Sequence, residues 1–110
     1  MIVTWDDFEK IDIRTGTILS VAGFAEAKKP AYQLTIDFGE LGIKKSSAQI
    51  VALYQPEELI GRQVIAVVNF PKKQIANFFS ECLVLGAYTD KKEVVLLQPD
   101  REVKNGWKVG

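Results

Sequence analysis

A chain of 110 residues, 47% hydrophobic and 25% charged, is long enough for one globular domain with one core and too short for two ordinary ones. Fourteen basic residues balance 14 acidic ones and histidine is absent, which removes the commonest general base, the commonest metal ligand and every Ser-His or Cys-His nucleophile. An enzyme is therefore not expected, nor a metal site or cofactor, and no apolar run approaches the length needed to enter a membrane.

In chain order, Thr4 followed by Asp7 forms a helix-start pattern, and Trp5, Phe8 and Ile11 fall at three-residue spacing on one side of a short helix over residues 4–10. A helix so short needs a docking partner, either this domain or a second copy of it. The acid pairs Asp6-Asp7 and Glu57-Glu58 point in different directions on a helix and read as helix-start acids rather than catalytic pairs. Residues 13–21 form the first strand, with Gly16 inside it marking a bulge or strong bend. After a loop at 25–30, Tyr32, Leu34, Ile36 and Phe38 alternate strictly with Gln33, Thr35 and Asp37, the pattern of a half-buried strand. Residues 43–50 are a more polar strand that shows much of its surface to solvent or a ligand. A one- to two-turn helix covers 55–61, with proline in its first turn, acids after it and glycine at its end. Residues 63–69, 82–88 and 93–98 are strands, and 99–110 form a C-terminal extension with turns at Pro99-Asp100 and Asn105-Gly106.

This order predicts an all-β domain spanning 1–110. Its plan is a five-stranded OB-fold barrel, with a short helix between strands three and four and a short N-terminal helix; a β-sandwich is the main rival. The connection from Asn69 to Glu81 is longer than a tight hairpin needs and mixes amides, lysines and aromatic rings, which suits a ligand with charge, hydrogen-bonding edges and flat faces. Eight of the 14 basic residues occur as Lys-Lys pairs at 28–29, 44–45, 72–73 and 91–92, beside loops or strand ends, so a locally positive surface survives the zero net charge. The pair at 91–92, in a Thr-Asp-Lys-Lys turn, reads as a solubilising loop tip. A lone cysteine, Cys82, excludes an internal disulfide and fits a reducing cytoplasm, and the acidic N-terminus lacks the basic start of a secretory signal.

The segments Asp12-Ile13-Arg14-Thr15-Gly16, 29–39, 43–50, Asn69-Phe70-Pro71 with Lys73-Gln74-Ile75, and Ser80-Glu81-Cys82-Leu83 together resemble the stand-alone tRNA-binding OB-domain family. The resemblance is closest in its CsaA branch of export-related chaperones. It implies an OB fold, structure-directed tRNA binding, a homodimer, and an affinity for unfolded or exported precursor proteins and the export machinery. Broader members carry glycine shortly after the lysine loop and methionine after Ser-Glu-x, where this chain has Ala76 and Leu83.

The expected RNA-binding residues are Lys44, Lys45, Asn69, Lys73, Ser80 and Glu81. The lysines would meet phosphates, Asn69 and Ser80 base edges or ribose hydroxyls, and Glu81 an exposed base amino group. Phe78 and Phe79, adjacent in an extended segment, face opposite ways, so one ring belongs in the core and the other outside. Trp5, Phe8, Phe78 and Phe79 are candidates for dimer packing or peptide contact. The leading function is a tRNA-binding protein that recognises shape and unpaired elements and has an export-related chaperone role. The alternative is a peptide-binding chaperone whose tRNA binding is secondary.

Overall fold

The computed structural model describes residues 1–110. Its order is α1 (Trp5–Glu9), β1 (Ile13–Gly23), β2 (Tyr32–Asp37), a 3-10 turn (Gly39–Leu41), β3 (Ile43–Ala48), α2 (Pro56–Leu59), β4 (Gln63–Val67), β5 (Lys73–Ile75), β6 (Phe78–Ser80), β7 (Leu83–Val84), β8 (Gly86–Tyr88) and β9 (Val94–Leu96). The five-stranded sheet runs β3-β2-β1-β4-β7, and β5-β6 and β8-β9 are separate hairpins. All the pairings in the five-stranded sheet are antiparallel. The sheet coils into a nearly closed five-strand barrel of the OB type, with α2 between β3 and β4.

β1 makes the coiling possible. Its first half, Ile13–Thr17, pairs with β4, and its second half, Thr17–Gly23, pairs with β2. The register advances by two residues on β1 for one on β2 between Ile18 and Ser20, leaving Leu19 as the extra residue. The bulge therefore lies at Leu19, and not at Gly16, where the sequence pointed to a bulge or a strong bend. Gly16 serves close packing instead: a Cβ there would lie 2.8 Å from Ile36 Cγ2 and from the Phe38 ring, and both of those side chains are fully buried.

The core gathers Ile18 from β1, Leu34 and Ile36 from β2, Phe38, Val64 from β4 and Leu59 from α2. Leu59 is fully buried, and its helix is held by Gln55 N–H, which donates to Glu58 Oε1 at 2.8 Å, and by the Gly61 N–H, which donates to Ile18 O at 2.8 Å. Gly61 ends that helix with a φ of 86°, the left-handed conformation that glycine adopts without penalty. At the other helix, Thr4 and Asp7 form the expected capping box, yet α1 buries none of its residues. The acid pairs act as helix-start groups, with Asp7 and Glu58 bonding back to the cap residues.

Two segments differ from the sequence reading. The stretch 82–88 is not one strand: it breaks at Leu85, so that β7 joins the barrel and β8 joins β9. The connection 69–81 is not an open loop, because Lys73–Ser80 folds into the β5-β6 hairpin with Ile75 opposite Phe78. The C-terminal extension packs along β1. Thr15 N–H donates to Trp107 O at 3.0 Å, Gly106 N–H to Thr15 O at 2.7 Å, and Val109 N–H to Ile13 O at 2.8 Å. Asn105 Oδ1 accepts from Thr17 Oγ1 at 2.7 Å, so the extension covers part of β1 that would otherwise present unpaired edge groups.

Because Ile36 and Phe38 cannot move away from a new methyl group, Gly16→Ala should cost about 1–3 kcal/mol of stability. Urea denaturation of the two proteins measures it.

Candidate nucleic-acid interface

Three elements build a cleft. The β1-β2 loop carries Lys28 and Lys29 and is pinned at its base by Phe24 and Ala31, both buried. The β5-β6 hairpin carries Lys73 and Gln74 and is pinned by Phe78. The Phe24 and Phe78 rings meet edge to face, with centroids 5.3 Å apart and planes at 61°. This arrangement satisfies the aromatic quadrupoles and joins the two basic segments. Ser47 on β3 and Gln49 just past its end form the third side. The enclosed space is about 580 Å³, open to solvent, with three lysines against one carboxylate, Glu26, among its lining residues.

A second groove of about 320 Å³ adjoins the cleft, with Ile50, Leu83, Val84 and Val94 among its lining beside Ser80, Tyr88 and Lys92. It shares Ser47, Gln49, Lys73 and Ile75 with the cleft, so the two form one surface. Lys92, in the expected turn at the start of the β9 side, also borders this groove.

The sequence-predicted RNA-binding residues fall in four places. Lys73 lines the cleft directly. Lys44 and Lys45 follow the strand alternation: Lys45 is exposed on the outer face opposite Thr35, while Lys44 is half-buried opposite Ile36. Ser80 and Glu81 lie against the free edge of β3. Ser80 Oγ accepts from Ser47 N–H at 3.1 Å, Glu81 Oε1 accepts from Lys45 N–H at 2.9 Å, and Glu81 N–H donates to Lys45 O at 2.7 Å. Asn69 stands apart from the cleft: its Oδ1 accepts from Asp12 N–H at 2.9 Å and its Nδ2 donates to Lys10 O at 2.7 Å, tying the α1–β1 junction to the end of β4. Trp5 is 84% exposed, Phe8 half-buried, Phe78 buried and Phe79 51% exposed, so the two adjacent rings part as strand alternation requires. Lys28, Lys29, Gln49 and Gln74 were not singled out from sequence. The lysine pair at 28–29 was the one visible signal, and nothing local to it showed that it would face Lys73.

A family model described as "Putative tRNA binding domain" matches residues 13–108. Among solved structures, the chaperone CsaA of Bacillus anthracis superposes with a TM-score of 0.95 at 52% identity, covering all of both chains. CsaA of Picrophilus torridus gives 0.93 at 55% identity, covering 99% of this chain and 100% of that one. The chain belongs to the tRNA-binding-domain family, in its CsaA branch. The methionine–tRNA ligase of Pyrococcus abyssi is 38% identical over 109 residues, which are 99% of this chain and 15% of the ligase. The chain spans about 15% of the length of the curated relatives of this kind. No helix is long and apolar enough to cross a membrane.

One turn position is strained. Ala76, the first central residue of the β5-β6 turn, has a φ of 53°, in the left-handed region that favours glycine. A non-glycine residue in the left-handed region costs about 1–2 kcal/mol, and glycine's extra unfolded-state freedom costs about 0.5–1 kcal/mol. Ala76→Gly should therefore raise stability by up to about 1 kcal/mol, seen as a higher melting temperature.

Under the cleft, burial pushes the Cys82 thiol up from 9.0 to about 11, against the lowering effect of its hydrogen bond with Ser46. The unfolded thiol ionises near 9.0 and the folded one near 11, so folding stability falls as pH rises through that window. The loss is about 2–3 kcal/mol over the two units. The difference in unfolding free energy between wild type and Cys82→Ala should shrink by that amount between pH 8 and pH 11.

Proposed function

We propose that the chain is a non-catalytic tRNA-binding domain acting as one unit over residues 1–110 in the cytoplasm, which takes unpaired or looped parts of tRNA along the lysine-lined cleft. The observation that carries this reading is the convergence of Lys28, Lys29 and Lys73 with the amides of Gln49 and Gln74 on one open cleft. Cations there meet phosphates and supply affinity, while the amides and Ser47 offer donors and acceptors to exposed base edges or ribose hydroxyls. Lys44 and Lys45 extend the positive surface along β3, and Ser80 borders the adjoining groove. Asn69 stands apart from this surface, at the α1–β1 junction. Family membership supports the choice of tRNA over other polyanions.

A second ligand class is supported by the adjoining groove, where apolar side chains alternate with polar ones. The solved relatives are named as chaperones, and an extended segment of an unfolded or exported precursor protein could lay apolar side chains on Leu83, Val84 and Val94. Phe79 adds an exposed ring on the hairpin. A homodimer fits the N-terminal segment, where Ile2 is 97% and Trp5 84% exposed and α1 buries nothing within its own chain.

The test is a salt titration of tRNA binding with wild type and with Lys29→Ala/Lys73→Ala. Neutralising phosphates gives a log–log slope of about −0.7 to −0.9 per contact, so the double variant should bind more weakly and flatten the slope by roughly 1.4–1.8. Equal binding and an unchanged slope would remove the cleft as the site. Peptide capture on the groove should hold or strengthen as salt rises.

A further inference from the structure

We propose that Glu81 is a positioning residue of this cleft, a side chain that strengthens polyanion binding by holding the hairpin that carries Lys73 against β3. The proposal rests on the reading of the cleft given above.

Coulomb's law alone predicts the opposite, because a negative charge beside a cation-lined cleft repels phosphate and its removal should tighten binding. The geometry reverses that expectation. Lys45 N–H and C=O point away from β2 at an edge with no further strand. Glu81 satisfies both, its Oε1 accepting at 2.9 Å and its N–H donating at 2.7 Å. Its other oxygen, Oε2, lies 3.7 Å from Lys72 Nζ, the neighbour of the cleft residue Lys73. The carboxylate thus joins β3 to the strand that presents Lys73 and Gln74. The far end of the same hairpin is held by Phe78 on Phe24. A hairpin pinned at both ends presents its cations already ordered, which lowers the entropy lost on binding. Ser80 adds a smaller cap on Ser47 N–H, so losing Glu81 alone loosens the hairpin rather than unfolding it.

The experiment compares wild type, Glu81→Ala, Glu81→Asp and Glu81→Gln for binding to unfractionated tRNA and to inorganic polyphosphate, a polyanion without bases. Hydrogen exchange at the Lys45 amide is followed in parallel. Glu81→Ala should weaken both ligands about tenfold, the scale of a lost charge-assisted hydrogen bond. It should also speed Lys45 exchange and leave the salt slope unchanged, since no cation is lost. Glu81→Asp keeps the charge but loses the reach, and should weaken binding in the same way, which decides the matter if the alanine variant does not fold. Glu81→Gln keeps an acceptor for Lys45 N–H but loses the exposed ion pair with Lys72, and should weaken binding by about threefold, less than Glu81→Ala does. Binding that is equal or tighter in Glu81→Asp or Glu81→Ala overturns the proposal. So does a loss confined to tRNA with polyphosphate untouched, which would make Glu81 a base contact. Wild-type protein that binds neither polyanion overturns the cleft assignment itself, and this proposal with it.

Discussion

The free edge of β3 is the constraint on which the rest of this structure depends. A five-stranded sheet that coils without quite closing leaves its two edge strands, β3 and β7, with backbone groups facing outward, and such groups either find partners or become a site of association. Here the partners come from residues 80–82: Ser80 Oγ and Glu81 Oε1 accept from the β3 amides, Glu81 N–H donates to Lys45 O, and Cys82 O accepts from the buried Ser46 Oγ at 3.0 Å. The gap is bridged by a mixture of side-chain and backbone contacts where a regular strand would have used backbone alone. The same contacts bring the β5-β6 hairpin against β3, and the cleft is the space left between that hairpin and the β1-β2 loop.

Closure and ligand surface are therefore one arrangement. The hairpin is anchored at one end by polar contacts to β3 and at the other by the Phe24–Phe78 pair, and its middle, with Lys73 and Gln74, stands free between them. Aromatic residues in this region work chiefly as anchors: Phe78 is buried against the neighbouring loop, and only Phe79 faces outward. The chain's charges balance overall, yet three of its four lysine pairs contribute to the sheet edge or the cleft, so the local field differs from what the net charge conveys.

The C-terminal residues show the same economy. Asn105 and Gly106 form a turn, as their types foretell, but their hydrogen bonds run to Thr15, Thr17 and Arg14 on β1. They cover a strand whose pairing switches from β4 to β2 at Thr17. The capping Asn69 does related work at the N-terminal side, joining Lys10 and Asp12 to the end of β4.

What the sequence determined by itself was whatever rests on neighbours along the chain. The strict alternation of Tyr32 to Phe38 specified a half-buried strand, the Thr4–Asp7 and Pro56–Gly61 patterns specified both helices, and ordered family motifs specified the barrel. The opposite facing of Phe78 and Phe79 was legible for the same reason, since period-two geometry is local. Other features were decided only by tertiary structure. The bulge sits at Leu19 because β1 must pair with two strands on either side of a bend, while Gly16 is needed for the approach of Phe38. Lys28 and Lys29 face Lys73 only because Phe24 meets Phe78 across 54 residues of chain. Glu81 and Asn69 looked like free ligand groups in a loop, and each found a backbone amide to cap in a distant segment. Polar side chains of that kind carry no local signal of their partner, because the unpaired group they satisfy exists only once the sheet has folded.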